Sequence, residues 1–217
     1  MDEVESRAER KERTRRAILD AALELAAESS LGVVSLRQVA KAVGIVPTAF
    51  YRHFDSVDSL GLALVDESFV SLRAMLREAR RPESFDGFID VADHSVDVLA
   101  DHVRRHEAHF AFIARERVAG PKVVRDAIRR EIELCEHELA TDLARLPGAR
   151  HWSTEDLNVL SSLIVSAMVT TAEALIEAGP RQGERVAAAA RTQLRMVLVG
   201  ALNWRSAADR EDVAGRR

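Results

Sequence analysis

Apolar residues return at intervals of three and four along almost the whole of this chain, and nowhere do they alternate with polar ones over any length. That period keeps one face of an α-helix dry, whereas a half-buried strand needs a period of two. The fold class is therefore all-α. Only 5 prolines and 10 glycines interrupt 217 residues, and the strongest breaks are Gly120-Pro121, Pro147-Gly148 and Gly179-Pro180. They fall between the periodic stretches, so they read as helix ends.

About nine helices follow from this punctuation. Residues 1–9 lack periodicity and read as a disordered arm. Thr14 is the cap candidate for a helix with Ile18, Ala22, Leu25 and Ala26 on one face, ending near Leu31-Gly32. Ser35 caps a short helix carrying Leu36, Val39, Ala40 and Val43, stopped by Gly44. Pro47 opens another that runs through Phe54. Ser56 begins a long helix to about Arg81, broken by Pro82. Further helices are expected near 84–104, 106–116, 121–146, 154–178 and 183–206, with a frayed tail at 207–217. The domain reading is a three-helix head at 10–55 and a helical body at 56–206.

Charge separates the two parts. Between Arg10 and Phe54 eight basic residues face four acidic ones, while the whole chain has a formal net charge of −4. A basic head on an acidic body suits a protein that meets phosphate with one end. The single cysteine, Cys135, forms no internal disulfide, and the charged first residues hold no apolar signal core. The uncharged run Leu157–Ala172 is too short and too polar for a bilayer span. A soluble cytoplasmic protein, associated with the nucleoid and not with membrane, is expected.

The most specific local signal lies at 35–54. Two short helices meet at a tight turn in which Gly44 supplies the left-handed backbone and Ala40, four residues earlier, lets the helices approach. Ile45, Phe50 and Phe54 close the core beneath, which leaves Thr48, Ala49, Tyr51, Arg52 and His53 for solvent or DNA. An αα-corner of an ordinary helical protein explains Ala40 and Gly44, but not the Tyr-Arg-His surface. The second helix is expected in the major groove, with Arg15, Arg16, Arg37, Tyr51 and His53 reaching phosphates and with Ser35 and Pro47 on the same DNA-binding surface.

Residues 10–60, centred on SLRQVAKAVGIVPTAFYRHFDSVDSL, resemble the DNA-binding domain of the TetR family of one-component regulators. Ala40, Gly44, Phe50, Tyr51, His53 and Phe54 fall where that family's pattern places them. The resemblance implies phosphate contacts at Tyr51 and His53 and an approach to bases around Thr48. It also implies a homodimer on a palindromic double-stranded operator. Many members carry a lysine where this chain has Asp58, so that backbone contact is missing. PTAFYRHFDSVDSLGLALVDES, FAFIARERVAG (110–120) and RDAIRREIE resemble a narrower group, the fatty-acid-biosynthesis repressors of FabR and DesT type, in which Asp58 is characteristic. That resemblance implies a long-chain acyl-CoA or acyl thioester effector, no cofactor, and lipid genes as targets.

In the body, long apolar stretches with few aromatics suit an aliphatic ligand. Leu62, Val65, Phe69, Leu72, Met75 and Leu76 of the long helix are candidate pocket lining. So are Phe88, Val91, Phe110 and Ile113, though each serves equally as plain core. Arg115 and Arg117 are candidates for thioester or CoA phosphates, or else a solvated pair near Glu116 or Glu131. Leu160, Ile164, Met168 and Leu175 on one helix, with Leu194, Val197, Leu198, Ala201 and Trp204 on the next, are the expected dimer face, a four-helix bundle across two subunits. His94, His102, His106 and His109 leave open a regulator of the same fold that answers a transition metal or drug-like molecule; surface histidines are the plainer account. No GxSxG, Walker loop or paired catalytic motif is present, so an enzyme is not expected.

Overall fold

The computed structural model describes residues 6–79, 88–145, 149 and 152–206. The expected break at Pro82, the Pro147-Gly148 turn, the tail at 207–217 and the first five residues of the expected arm lie outside the described residues. Eight helices follow in order: α1 (Arg7–Glu28), α2 (Leu36–Val43), α3 (Pro47–Phe50), α4 (Val57–Ala79), α5 (Phe88–Arg105), α6 (Glu107–Ala119), α7 (Lys122–Leu143) and α8 (Thr154–Leu202). Gly179, at φ 61° and ψ −177°, breaks α8 into two arms, so the described residues form nine helical segments and no strand.

α1 starts seven residues before the expected cap. Ser6 Oγ accepts from the Glu9 amide at 3.2 Å, and the Glu9 carboxylate accepts from the Ser6 amide at 2.7 Å, a reciprocal cap. Thr14 lies inside the helix and donates to the Arg10 carbonyl at 2.9 Å. Residues 7–13 form helix without an apolar face because Arg, Lys, Glu and Ala favour it intrinsically, which periodicity does not register.

Two compact units divide the chain: residues 1–72 with 106–129, and residues 73–105 with 130–217. Both α4 and α7 contribute to each. In the first unit α1 packs on α2 and α6, and α2 on α3. Ile18, Leu31, Val39, Phe50, Leu60, Phe69 and Phe112 are fully buried there, each side chain contributing about 1.5–3 kcal/mol over exposure. A Cβ on Gly61 would stand 2.6 Å from Leu31 Cδ2 and 2.7 Å from Val124 Cγ2, so α4 passes its neighbours only as glycine.

Polar bonds tie α6 to the end of α1. Arg115 Nη1 donates to the carbonyls of Ala26 and Ala27, at 2.6 and 2.5 Å, where the helix has run out of its own donors. Glu116, fully buried, accepts from the Leu31 amide at 2.9 Å and the Ser30 hydroxyl at 3.2 Å. Burial pushes its carboxyl above the usual range, and the two hydrogen bonds and Arg115 oppose that shift.

The second unit has an apolar heart. Ala92 and Val96 of α5, Ala140 and Leu143 of α7, and Leu157, Ile164, Ala187, Ala190 and Leu194 of α8 form one buried cluster. Around it Asp97 takes Arg191 at 2.6 Å, Asp93 takes Arg195, and Glu131 takes Arg73 at 2.5 Å. The part of α8 ahead of the break, Thr154–Gly179, has 26 residues, and an 18-residue stretch of it reaches a mean hydropathy of 1.8, which by length and composition alone suffices for a membrane. The helix thus extends well beyond its uncharged run.

Candidate nucleic-acid interface

The α2–turn–α3 corner is built from local bonds. Ser35 caps α2, its Oγ accepting from the Gln38 amide at 3.3 Å while the Gln38 side chain accepts from the Ser35 amide at 2.7 Å. Gly44 takes φ 72° and ψ 28°, the Gly44 amide donates to Lys41 and the Ile45 amide to Ala40. This paired closure ends a helix and reverses the chain. A Cβ on Gly44 would meet nothing within 4 Å, so the demand there is for backbone conformation and not for space. Regular α3 spans only Pro47–Phe50, shorter than expected. Bonds from the Arg52, His53 and Phe54 amides to Ala49 and Phe50 carry the coil on to Phe54.

Phe50 and Phe54 plug this corner from beneath, 0 % and 4 % exposed, while Tyr51 stands 58 % exposed. Arg37, Pro47, Thr48 and Arg52 are exposed and Ala49 is half-buried. Lys41, in the last turn of α2, and Val46, 64 % exposed at the start of α3, are exposed in the same segment. An apolar residue is assigned to core by default, which is why Val46 gave no signal.

His53 is half-buried and its Nδ1 has no hydrogen-bond partner among the described residues. Burial first, and then the charges of Lys11, Arg15 and Arg52, hold its imidazole below the usual histidine range. A depressed pKa leaves the ring neutral near pH 7.

The two expected phosphate ligands on α1 have other partners. Arg15 Nη1 donates to the His53 carbonyl at 3.1 Å, and its guanidinium lies 4.3 Å from the Phe54 ring centroid. Arg16 bridges Asp20 at 2.9 Å and Glu67 at 2.6 Å. Spacing along α1 gave the outward direction of both arginines; Asp20 lies one turn along the same helix, but Glu67 and the His53 carbonyl lie on other segments.

The expected pocket residues are shared between the units. Leu62, Val65, Phe69, Leu72, Phe110, Ile113, Arg115 and Arg117 belong to the first, and Met75, Leu76 and Val91 to the second. Phe88 begins α5, and its side chain lies outside what is described. Val65 and Phe69 are 1 % and 0 % exposed. Arg115 is engaged with α1, as above, and Arg117 is exposed.

On α8 the apolar faces differ from the expected ones. Ile164 and Leu194 are 9 % and 5 % exposed and belong to the core of their own chain, with Leu160, Met168, Val197 and Leu198 packed on it. Leu175 and Ala201 are half-buried, and Trp204 is exposed. The outward residues are their neighbours: Val159, Leu163, Ser166 and Thr170 at 4-3-4 spacing, then Thr192, Met196, Val199 and Asn203 at the same spacing. Adjacent positions point about 100° apart on a helix, and large apolar residues occur on both faces of α8, so spacing alone does not say which is the inner one.

The four histidines do not share one unit: His94 and His102 lie in the second, His106 and His109 in the first. They are not all on the surface, since His102 is 6 % exposed and His109 Nδ1 pairs with the buried Ser68 hydroxyl at 3.0 Å. Among the described residues no group of three or more His, Cys, Asp or Glu is placed to hold a metal.

Known proteins share this architecture. The family model described as bacterial regulatory proteins, tetR family, matches residues 18–64. That described as tetracyclin repressor-like, C-terminal domain, matches residues 88–200. Among solved structures, GusR of Salmonella enterica is 22% identical with a TM-score of 0.66, over 88% of this chain and 96% of its own. A transcriptional regulator from a Rhodococcus species is 22% identical with a TM-score of 0.62, over 86% and 96%. The fatty acid degradation regulator FadR of Bacillus halodurans is 13% identical with a TM-score of 0.64, over 85% and 94%. At such identities the structures share the fold alone. The two family models together take in both the corner at 35–54 and the helical body, and the chain belongs to the TetR family of bacterial transcriptional regulators.

Proposed function

We propose that this chain is a ligand-responsive repressor that binds a palindromic operator as a homodimer and controls lipid-metabolism genes in response to a long-chain acyl thioester. The observation that carries the DNA-binding part is the corner at 35–54, where Tyr51, Thr48, Arg37 and Arg52 are exposed around a glycine-set turn. One such corner reads few base pairs, and two presented by a two-fold axis read a half-site each. The outward stripe of α8, with exposed Val159, Leu163, Met196 and Val199 among small polar residues, supports the dimer, because a 4-3-4 seam on each arm suits a four-helix bundle with its own copy. A membrane would also wet that stripe, but the same arm carries core residues Leu157 and Ile164 on its other side.

The lipid part rests on the resemblance of segments 47–68 and 110–120 to regulators of fatty-acid synthesis, and on an aliphatic, aromatic-poor body. An effector that favours one spacing of the two corners by a few kcal/mol would shift operator occupancy by orders of magnitude.

Band-shift titration against the promoters beside its own gene tests the first part. Tyr51→Ala with His53→Ala weakens binding to all sequences together, by about tenfold or more; undiminished affinity removes the corner from the interface. A thermal-shift comparison of palmitoyl-CoA, free CoA, zinc and nickel tests the second. Stabilisation by palmitoyl-CoA beyond free CoA is expected, and stabilisation by metal alone overturns it.

A further inference from the structure

We propose that Arg15 is a positioning residue for DNA binding: its guanidinium holds the main chain of the turn that presents Tyr51 and His53, and does not serve as a phosphate ligand. The assignment rests on the DNA-binding reading above.

Regular helix ends at Phe50, so the carbonyls that follow have no helical donors ahead of them. One of these, at His53, takes the Arg15 Nη1 proton at 3.1 Å. The same guanidinium lies 4.3 Å from the centroid of the Phe54 ring, which is itself 4 % exposed. A planar fork donates from its edge while its face rests on an aromatic ring; an ammonium group cannot do both from one place. Arg15 therefore bonds residue 53 through its carbonyl and residue 54 through its side chain, from a helix about forty residues earlier in the chain.

The main chain it holds is also tied by the Arg52, His53 and Phe54 amides, which bond back to Ala49 and Phe50. The side chains it presents have few ties of their own beyond the edge contact of Tyr51 with Phe50. The Tyr51 ring is 58 % exposed. The buried Nδ1 of His53 has no partner among the described residues, so no bond within the ring sets where Nε2 points. The directions of both side chains then follow the main chain from 51 to 54. Arg16, one residue on, shows the contrast: its guanidinium goes to the carboxylates of Asp20 and Glu67, neither of which belongs to the corner.

The test compares Arg15→Lys and Arg15→Gln on a promoter fragment that wild-type protein binds, over a range of salt concentrations. Both variants are expected to weaken binding by about tenfold, because lysine keeps the charge but not the fork and face. The slope of log K against log salt stays at the wild-type value, since no phosphate contact has gone. In a Tyr51→Ala/His53→Ala background Arg15→Lys should cost less than about twofold, because what it positioned is absent. Phe54→Leu, which leaves Arg15 in place, should weaken binding at unchanged slope and guards against misfolded Arg15 variants. The assignment is overturned if Arg15→Lys binds like wild type while Arg15→Gln loses about one unit of slope, the mark of a direct phosphate ligand. A full tenfold loss persisting in the double-alanine background overturns it as well. Wild-type protein that binds no DNA overturns the DNA-binding reading and this assignment with it, whereas intact wild-type binding with an unaffected Arg15→Lys overturns the assignment alone.

Discussion

The first unit turns Arg37, Lys41, Arg52 and the Tyr51 phenol to solvent, whereas the second turns out Val159, Leu163, Met196, Val199 and Leu202. Inside, both units are apolar, and the first adds single polar bonds to main chain, at Arg15, Arg115 and Glu116. The second depends on an apolar cluster with Arg–Asp pairs around it. The lesson is that each unit is finished by a different kind of surface. Exposed cations around an aromatic hydroxyl are stable in water and gain from phosphate. Exposed large apolar side chains on one face are costly in water and gain most from another apolar face.

The sharpest way to break this contrast is to charge the seam. Leu163→Glu with Val199→Glu should weaken self-association by at least about a hundredfold, since unpaired carboxylates would have to enter a dry interface. Sedimentation velocity reads the shift to monomer, and a protein that stays dimeric shows that the seam lies elsewhere. Ile164→Glu, one residue along, should instead unfold the second unit, because that position is 9 % exposed in the single chain.

In the first unit the largest effect is expected at Glu116. Glu116→Ala strands the Leu31 amide and should cost about 2–3 kcal/mol, while Glu116→Gln keeps an acceptor and should cost about 1 kcal/mol. Denaturant titration measures both. Because burial raises the folded pKa of Glu116 above its unfolded value, its contribution is fully present below the unfolded pKa and is lost as pH rises through the folded one. Acidification should therefore favour wild type over Glu116→Gln, and a pH-independent difference between them would break the assignment.

A smaller effect separates His53 from the fixed cations around it. Its pKa is depressed in the free protein, so a nearby phosphate must raise it, and binding takes up part of a proton. DNA affinity should rise a few-fold, and at most about tenfold, for each unit that pH falls between the free and bound pKa values. His53→Gln should flatten that dependence in band-shift titrations. The free protein responds in the opposite sense, since a depressed pKa means that stability is lost as pH falls through the folded value.

An effect of similar size sharpens the part played by turn conformation. Gly44→Ala should cost about 1–2 kcal/mol, the penalty of placing a Cβ at left-handed φ, with no added clash. A thermal melt unchanged by this substitution would mean that the corner relaxes without it.

The sequence by itself determined the helical class and the corner at 35–54. Both rest on relations within a few residues: periodicity, the Ala40–Gly44 spacing, a serine cap and Pro47 at a first turn. Only the tertiary structure decided which apolar stripe of α8 faces the core, because Leu160 and Leu163 look alike until α5 is packed on one of them. It likewise decided that Arg15, Arg16 and Arg115 are engaged within the protein. Their partners, His53, Glu67 and Ala26, are between 38 and 89 residues away in the chain or on a different helix. A charged side chain is assigned to solvent until something distant takes it, and a contact at such separation leaves no trace in local spacing.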